Sequence, residues 1–153
     1  MSKESDGLLM MTDDQINYKE LSNETLLELA QESDEYIANS ALYELWDRKV
    51  PKMVDVARDI LASTSDERGL EPIALQIMFE SDRENAFAYM ERHLHKADPY
   101  LFNTMAELIL YYSDFRYELS VAKKITQRLK TGEVDTFLTD LADCKALEHL
   151  LNG

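Results

Sequence analysis

One cysteine, three prolines, four glycines and one tryptophan are spread over 153 residues. The lone cysteine, Cys144, has no partner for an internal disulfide, which excludes the stapled secreted scaffolds and fits a reducing compartment such as the cytoplasm. So few glycines and prolines leave little material for tight hairpin turns. β-Branched runs are equally scarce, so a sheet protein is not expected. No apolar run approaches the ~18 residues that a bilayer span needs, and no basic-then-apolar leader is seen. Positive charge is also short: 16 Lys and Arg stand against 30 Asp and Glu, for a formal charge of −14. A field of that sign repels phosphate backbones and anionic lipid. It disfavours nucleic acid and membranes as partners and speeds encounter with a basic protein.

What is present is 45% hydrophobic residues, enough for a chain of this length to fold around one core without metal or disulfide support. A single helical-repeat domain over 1–153 is expected, with residues 1–11 as a flexible N-terminal tail. The negative charge gathers early. Residues 1–35 hold ten acids and two lysines (−8), residues 36–100 hold 12 against 8 (−4), and residues 101–153 hold 8 against 6 (−2).

Apolar residues recur at helical spacing nearly throughout, which predicts an all-α protein. Thr12 with Gln15, Thr64 with Glu67 and Ser81 with Glu84 fit the spacing of a capping box, while Pro51 and Asp98-Pro99 suit first helical turns. The implied helices run over 14–21, 24–32, 34–48, 51–63, 67–80, 83–95, 99–112, 115–130 and 134–151, the last broken near Thr139.

Two of these helices share one offset with their successors. Ala41, Leu42 and Leu45 return 33 positions later as Ala74, Leu75 and Met78, and Val54, Ala57 and Leu61 return as Phe87, Met90 and Leu94. A flanking stripe, Met53, Val56 and Ile60, returns as Ala86, Tyr89 and His93 and turns polar at Val121, Lys124 and Arg128. Such a period suits an α-solenoid, in which each hairpin buries its faces on its neighbours; the alternative is an irregular helical bundle. The pairs built on SALYELW and PIALQIM, each followed by a helix such as MVDVARDIL or AFAYMERHL, resemble degenerate HEAT-type repeats over residues 34–130. The resemblance implies a right-handed α-α superhelix of about three to four hairpins. In size and acidity the chain is also similar to immunity proteins of bacterial polymorphic toxin and contact-dependent inhibition systems.

Chemistry is thinly represented. His93 and His95 are two apart, so on a helix they point to different faces and do not share a metal ion. Cys144 and His149 lack a third group to complete a nucleophile. Ser120 to Lys123 satisfies S-x-x-K without its companion motifs. Asp55 and Asp59 share a helical face and read as a solvated pair. No cofactor, metal or catalytic residue is expected.

The acids themselves are the better signal. In NETLLELAQESDEY, Leu26, Leu27, Leu29 and Ala30 are expected to bury one side of a helix while Glu24, Glu28 and Glu32 line another. Like charges four apart cost a helix a few tenths of a kcal/mol per pair, so their retention favours a role in contact. Asp34, Glu35 and an exposed Tyr36 extend the patch. Asp66, Glu67 and Glu71 sit at an inter-helix connection of the kind that hosts recognition. Of the adjacent Tyr111 and Tyr112, Tyr111 is expected outside; Trp46 is expected in the core. The leading expectation is therefore a non-enzymatic binding module. The immunity resemblance makes its partner a basic cognate toxin, such as a nuclease with a cationic active site. An adaptor holding a peptide in its helical groove is the alternative, and a small helical enzyme using Asp55, Asp59 or His93 a second.

Overall fold

Short oxygen-bearing side chains set the helix starts. Ser22 Oγ accepts the Thr25 N–H at 3.1 Å, Asp34 Oδ1 that of Ile37 at 3.0 Å, and Asp98 Oδ1 that of Leu101 at 2.9 Å. Each satisfies one of the donors that a first turn leaves open. The structure, a computed structural model, describes residues 3–8, 10–112, 119–132, 134 and 141–152. Among them every regular element is helical: α1 (Lys3–Leu8), 3₁₀ turns at Asp13–Gln15 and Tyr18–Glu20, then α2 (Asn23–Glu32), α3 (Glu35–Asp47), α4 (Lys52–Ala62) and α5 (Glu71–Ser81). Helices α6 (Arg83–His93), α7 (Pro99–Tyr112), α8 (Leu119–Thr131) and α9 (Ala142–Asn152) follow. No helix among the described residues is long and apolar enough to cross a membrane. The chain divides into two compact units, Met1–Ser81 and Asp82–Gly153.

In the first unit α2 packs on α3 and α4 on α5, while α2 lies beside α4 and α3 beside α5. The main pairing therefore runs one helix out of phase with the repeat drawn from sequence, which joined the segments now α3 and α4; those two touch far less than α2 with α3 or α4 with α5. Leu26, Leu29, Leu42, Leu45 and Ile77 are wholly buried in one cluster, with Ala30, Ala38, Ala41, Ala57 and Ala74 among them. Each such leucine or isoleucine contributes about 1.5–3 kcal/mol relative to exposure.

Several expected boundaries move. The helix expected at 14–21 is instead the two 3₁₀ turns, with Ile16 and Asn17 extended between them. Thr12 N–H does donate to Gln15 Oε1 at 3.0 Å, one leg of the predicted box. Tertiary bonds stop the turn from propagating: the Asp13 carboxylate accepts from the Tyr18 hydroxyl at 2.5 Å and the Ser40 hydroxyl at 2.7 Å. Burial, reinforced by Asp13, holds the Tyr18 hydroxyl protonated well above its usual range. Arg48 then takes the carbonyls of Tyr18 and Lys19 at 3.1 Å each and of Leu21 at 2.8 Å, so they are engaged by a side chain instead of a continuing helix.

The helix expected at 67–80 begins at Glu71. Ser63 Oγ accepts from the Ser65 and Asp66 N–H groups at 3.2 and 3.0 Å, and Gly69 stands at φ 72°, left-handed backbone that ends any helical run. Similarly α6 starts on Asp82, which accepts from Asn85 N–H at 3.4 Å, and not on Ser81.

In the second unit α7 and α9 share a core of Phe102, Met105, Ile109, Cys144 and Leu147, with Val121 and Ile125 of α8 also buried. Asn103 Oδ1 caps α9 by accepting from Asp143 and Cys144 N–H at 3.0 and 3.2 Å. The Arg128 guanidinium sits 4.6 Å from the Phe102 ring centroid, a cation–π contact. The start of the helix expected at 115–130 and the break expected near Thr139 lie outside the described residues.

Candidate functional site

Helices lying side by side leave a furrow between them, and in the first unit the furrow between α2 and α4 is about 800 Å³. Its walls are the i, i+3, i+4, i+7 stripe of α2 (Glu24, Leu27, Glu28, Gln31) and that of α4 (Lys52, Asp55, Val56, Asp59), closed by Asn23, Val50 and Pro51. Val50 and Val56 are buried and Leu27 half-buried against the core, so the floor is apolar. The rim is anionic: Glu24, Glu28, Asp55 and Asp59 against Lys52, four carboxylates to one ammonium, a formal −3.

Asp55 carries a local counter-charge. Arg58 Nη1 donates to Asp55 Oδ1 at 3.1 Å, with the two side chains 52% and 74% exposed. A pair so exposed is worth about 0–1 kcal/mol and offers a weak counter-charge. Past Asp59 the furrow continues into a cavity of about 220 Å³ lined by Gln31, Val56, Asp59, Ile60, Ser63, Asp66 and Arg68. There the chemistry changes. Arg68 Nε and Nη2 donate to the two Asp66 oxygens at 2.9 and 2.8 Å, while its Nη1 reaches the Ala30 and Ser33 carbonyls at 2.9 and 3.0 Å. Those hydrogen bonds to Arg68 hold the Asp66 carboxyl below its usual range, against the opposing effect of burial.

The acids expected at a contact surface are thus distributed. Glu24 and Glu28 line the furrow. Glu32 is exposed at the end of α2, outside the furrow lining, and Asp34 is spent as the cap of α3. Glu35 is exposed in the first turn of α3 with its Oε1 close to Gly69, and Tyr36 beside it is 70% exposed. Asp66 is held by Arg68, Glu67 is exposed in the loop before α5, and Glu71 opens α5 half-buried. Tyr111 is exposed as expected but belongs to the second unit. The furrow adds two acids set aside as a solvated pair, Asp55 and Asp59. The signal for them was the four-residue acid spacing repeated on two helices; what the sequence did not supply was that α2 and α4 are neighbours.

Elsewhere the described groups are quiet chemically. His93 is half-buried and stacks on Tyr89 at 4.3 Å; burial, then Lys96 and Arg92, lower its pKa. Cys144 is buried with its Sγ 3.8 Å from the Phe102 carbonyl, and burial pushes the thiol up to about 12, so it is no thiolate nucleophile near neutral pH. Trp46 packs against the core of the first unit but at its edge: it is half-buried, and its indole N–H donates to Glu80 Oε2. Among the described residues no group of three or more His, Cys, Asp or Glu side chains is placed to share a metal ion. No protein-family model matches the chain, and no curated protein and no solved structure matches it either.

Proposed function

We propose that this chain is a non-enzymatic binding module that holds a basic protein partner in the furrow between α2 and α4. The observation that supports the reading is the combination of an anionic rim, Glu24, Glu28, Asp55 and Asp59, with an apolar floor, Leu27, Val50 and Val56. Carboxylates at a rim raise the encounter rate with a cationic surface, and the apolar floor gives desolvated area once contact is made. The resemblance to immunity proteins makes the partner a cognate toxin, a nuclease whose cationic active site the carboxylates would cover in place of phosphate. The α2–α3 and α4–α5 hairpins would then be successive units of a right-handed α-α superhelix, with the furrow as the seam along one of its faces. Its place of action would be the cytoplasm.

The test is affinity capture from the native host with the whole chain as bait, beside a variant carrying Glu24→Lys, Glu28→Lys, Asp55→Lys and Asp59→Lys. The expected result is one strongly basic protein, retained by the wild type and lost from the variant. Retention of the same protein by both baits would overturn the electrostatic reading. If Leu27→Asp then released it, the adaptor alternative would replace it.

A further inference from the structure

A second surface of the same unit combines aromatic rings with acids. On α3, Tyr43 and Trp46 are one turn apart with ring centroids 6.1 Å apart and an interplanar angle of 22°. With Asp47, Lys49 and Glu80 they line a pocket of about 350 Å³. It lies on the row formed by α3 and α5, whereas the furrow belongs to the row formed by α2 and α4. Tyr43 is 46% exposed, and Tyr36, also exposed, lies two turns earlier on the same helix.

We propose that Tyr43, Trp46, Asp47 and Glu80 form a receiving pocket for an arginine side chain of a protein partner. The indole N–H of Trp46 donates to Glu80 Oε2, which fixes the ring and the carboxylate relative to each other before any ligand arrives. A carboxylate carries a second oxygen with its own lone pairs, here Oε1. A guanidinium fits this array better than an ammonium does: it is planar, it stacks on aromatic faces, and its fork of N–H donors matches a carboxylate. A quaternary ammonium would use the rings and leave the carboxylates without a donor. Asp47 and Glu80 outnumber Lys49, two carboxylates to one ammonium, so the lining is anionic by one formal charge. Lys49 is the opposing element. It sits at φ 55° just past α3, with its N–H bonded to the Trp46 carbonyl at 2.9 Å, which anchors its backbone beside the pocket.

Trp46 is the sole tryptophan of the chain, so its fluorescence reports this pocket directly. The experiment is a titration of the full-length protein with N-acetyl-arginine amide, alongside the citrulline analogue, the lysine analogue and tetramethylammonium. Saturable binding by the arginine compound is expected, about threefold or more tighter than the lysine compound or tetramethylammonium, with no saturation by citrulline. Glu80→Gln keeps an oxygen for the indole N–H and removes the charge; it should weaken binding about tenfold. Lys49→Gln should strengthen it about threefold. Absence of a saturable arginine signal in the wild type would overturn the proposal. So would equal binding of citrulline or tetramethylammonium, or a Glu80→Gln protein that binds as well as the wild type. These outcomes are independent of the furrow, whose residues are untouched.

Discussion

Asp59 and Asp66 line the same small cavity at the end of α4, and they do opposite things. Asp66 belongs to a seam: Arg68 grips both its oxygens and in the same gesture satisfies the Ala30 and Ser33 carbonyls at the end of α2. Asp59 belongs to the furrow, exposed on a rim where acids gather. Glu44 resembles Asp66, since Arg48 bonds it at 3.0 Å while collecting three backbone carbonyls. At both places the arginine binds backbone carbonyls along with the acid, so that several of the guanidinium's five donors are used together. Asp59 stands instead on the exposed rim.

The contrast is broken most strongly at Arg68. Arg68→Ala strands a partly buried carboxylate and two carbonyls, and should cost about 3 kcal/mol, read as a fall in the urea midpoint followed by far-UV circular dichroism. A loss below about 1 kcal/mol would mean that the seam is ornamental.

Acid pH gives the next largest effect. The Asp66 pKa is depressed in the folded state, so its contribution is complete above the unfolded value of ~3.9 and is lost as pH falls through the folded value. Between about pH 5 and pH 2 the wild type should lose more stability than Asp66→Asn does; equal losses would contradict the assignment.

Lys49 sharpens the picture on a smaller scale. At φ 55° it occupies backbone that favours glycine, so Lys49→Gly should raise stability by about 1 kcal/mol, measured by the same midpoint. A destabilisation would show that the lysine side chain contributes contacts worth more than the strain.

Asp59→Asn should change stability by less than about 0.5 kcal/mol. A larger loss would move Asp59 from the rim to the seam and erase the distinction.

Much of the fold was written in short-range pattern. The helix expected at 99–112 matches α7, and α2, α3 and α4 fall within a residue or so of expectation, because periodicity and caps are local signals. Ala41, Leu42 and Leu45 and their counterparts Ala74, Leu75 and Met78 are all buried, as the 33-residue offset implied. The failures were long-range. Thr64 and Glu67 had the right spacing for a cap, yet the loop is governed by Gly69 and by Arg68 reaching 35 and 38 residues back. Trp46 packs against the core as its spacing implied, but the acceptor of its indole N–H, 34 residues away on α5, was not legible. The candidate site was legible by halves: each of α2 and α4 declared its acid pair, and neither declared that the other would lie alongside.

The measurement closest to the central claim is the stopped-flow association rate of the captured partner with wild type and with the variant Glu24→Gln, Glu28→Gln, Asp55→Asn and Asp59→Asn, whose rim carboxylates are neutralised. Salt would run from about 25 to about 500 mM. If the furrow steers the partner, the wild-type rate falls about tenfold or more over that range. The variant associates more slowly at low salt and falls less steeply, and the two converge at high salt. Parallel salt dependences with equal rates would show that these four carboxylates do not receive the partner.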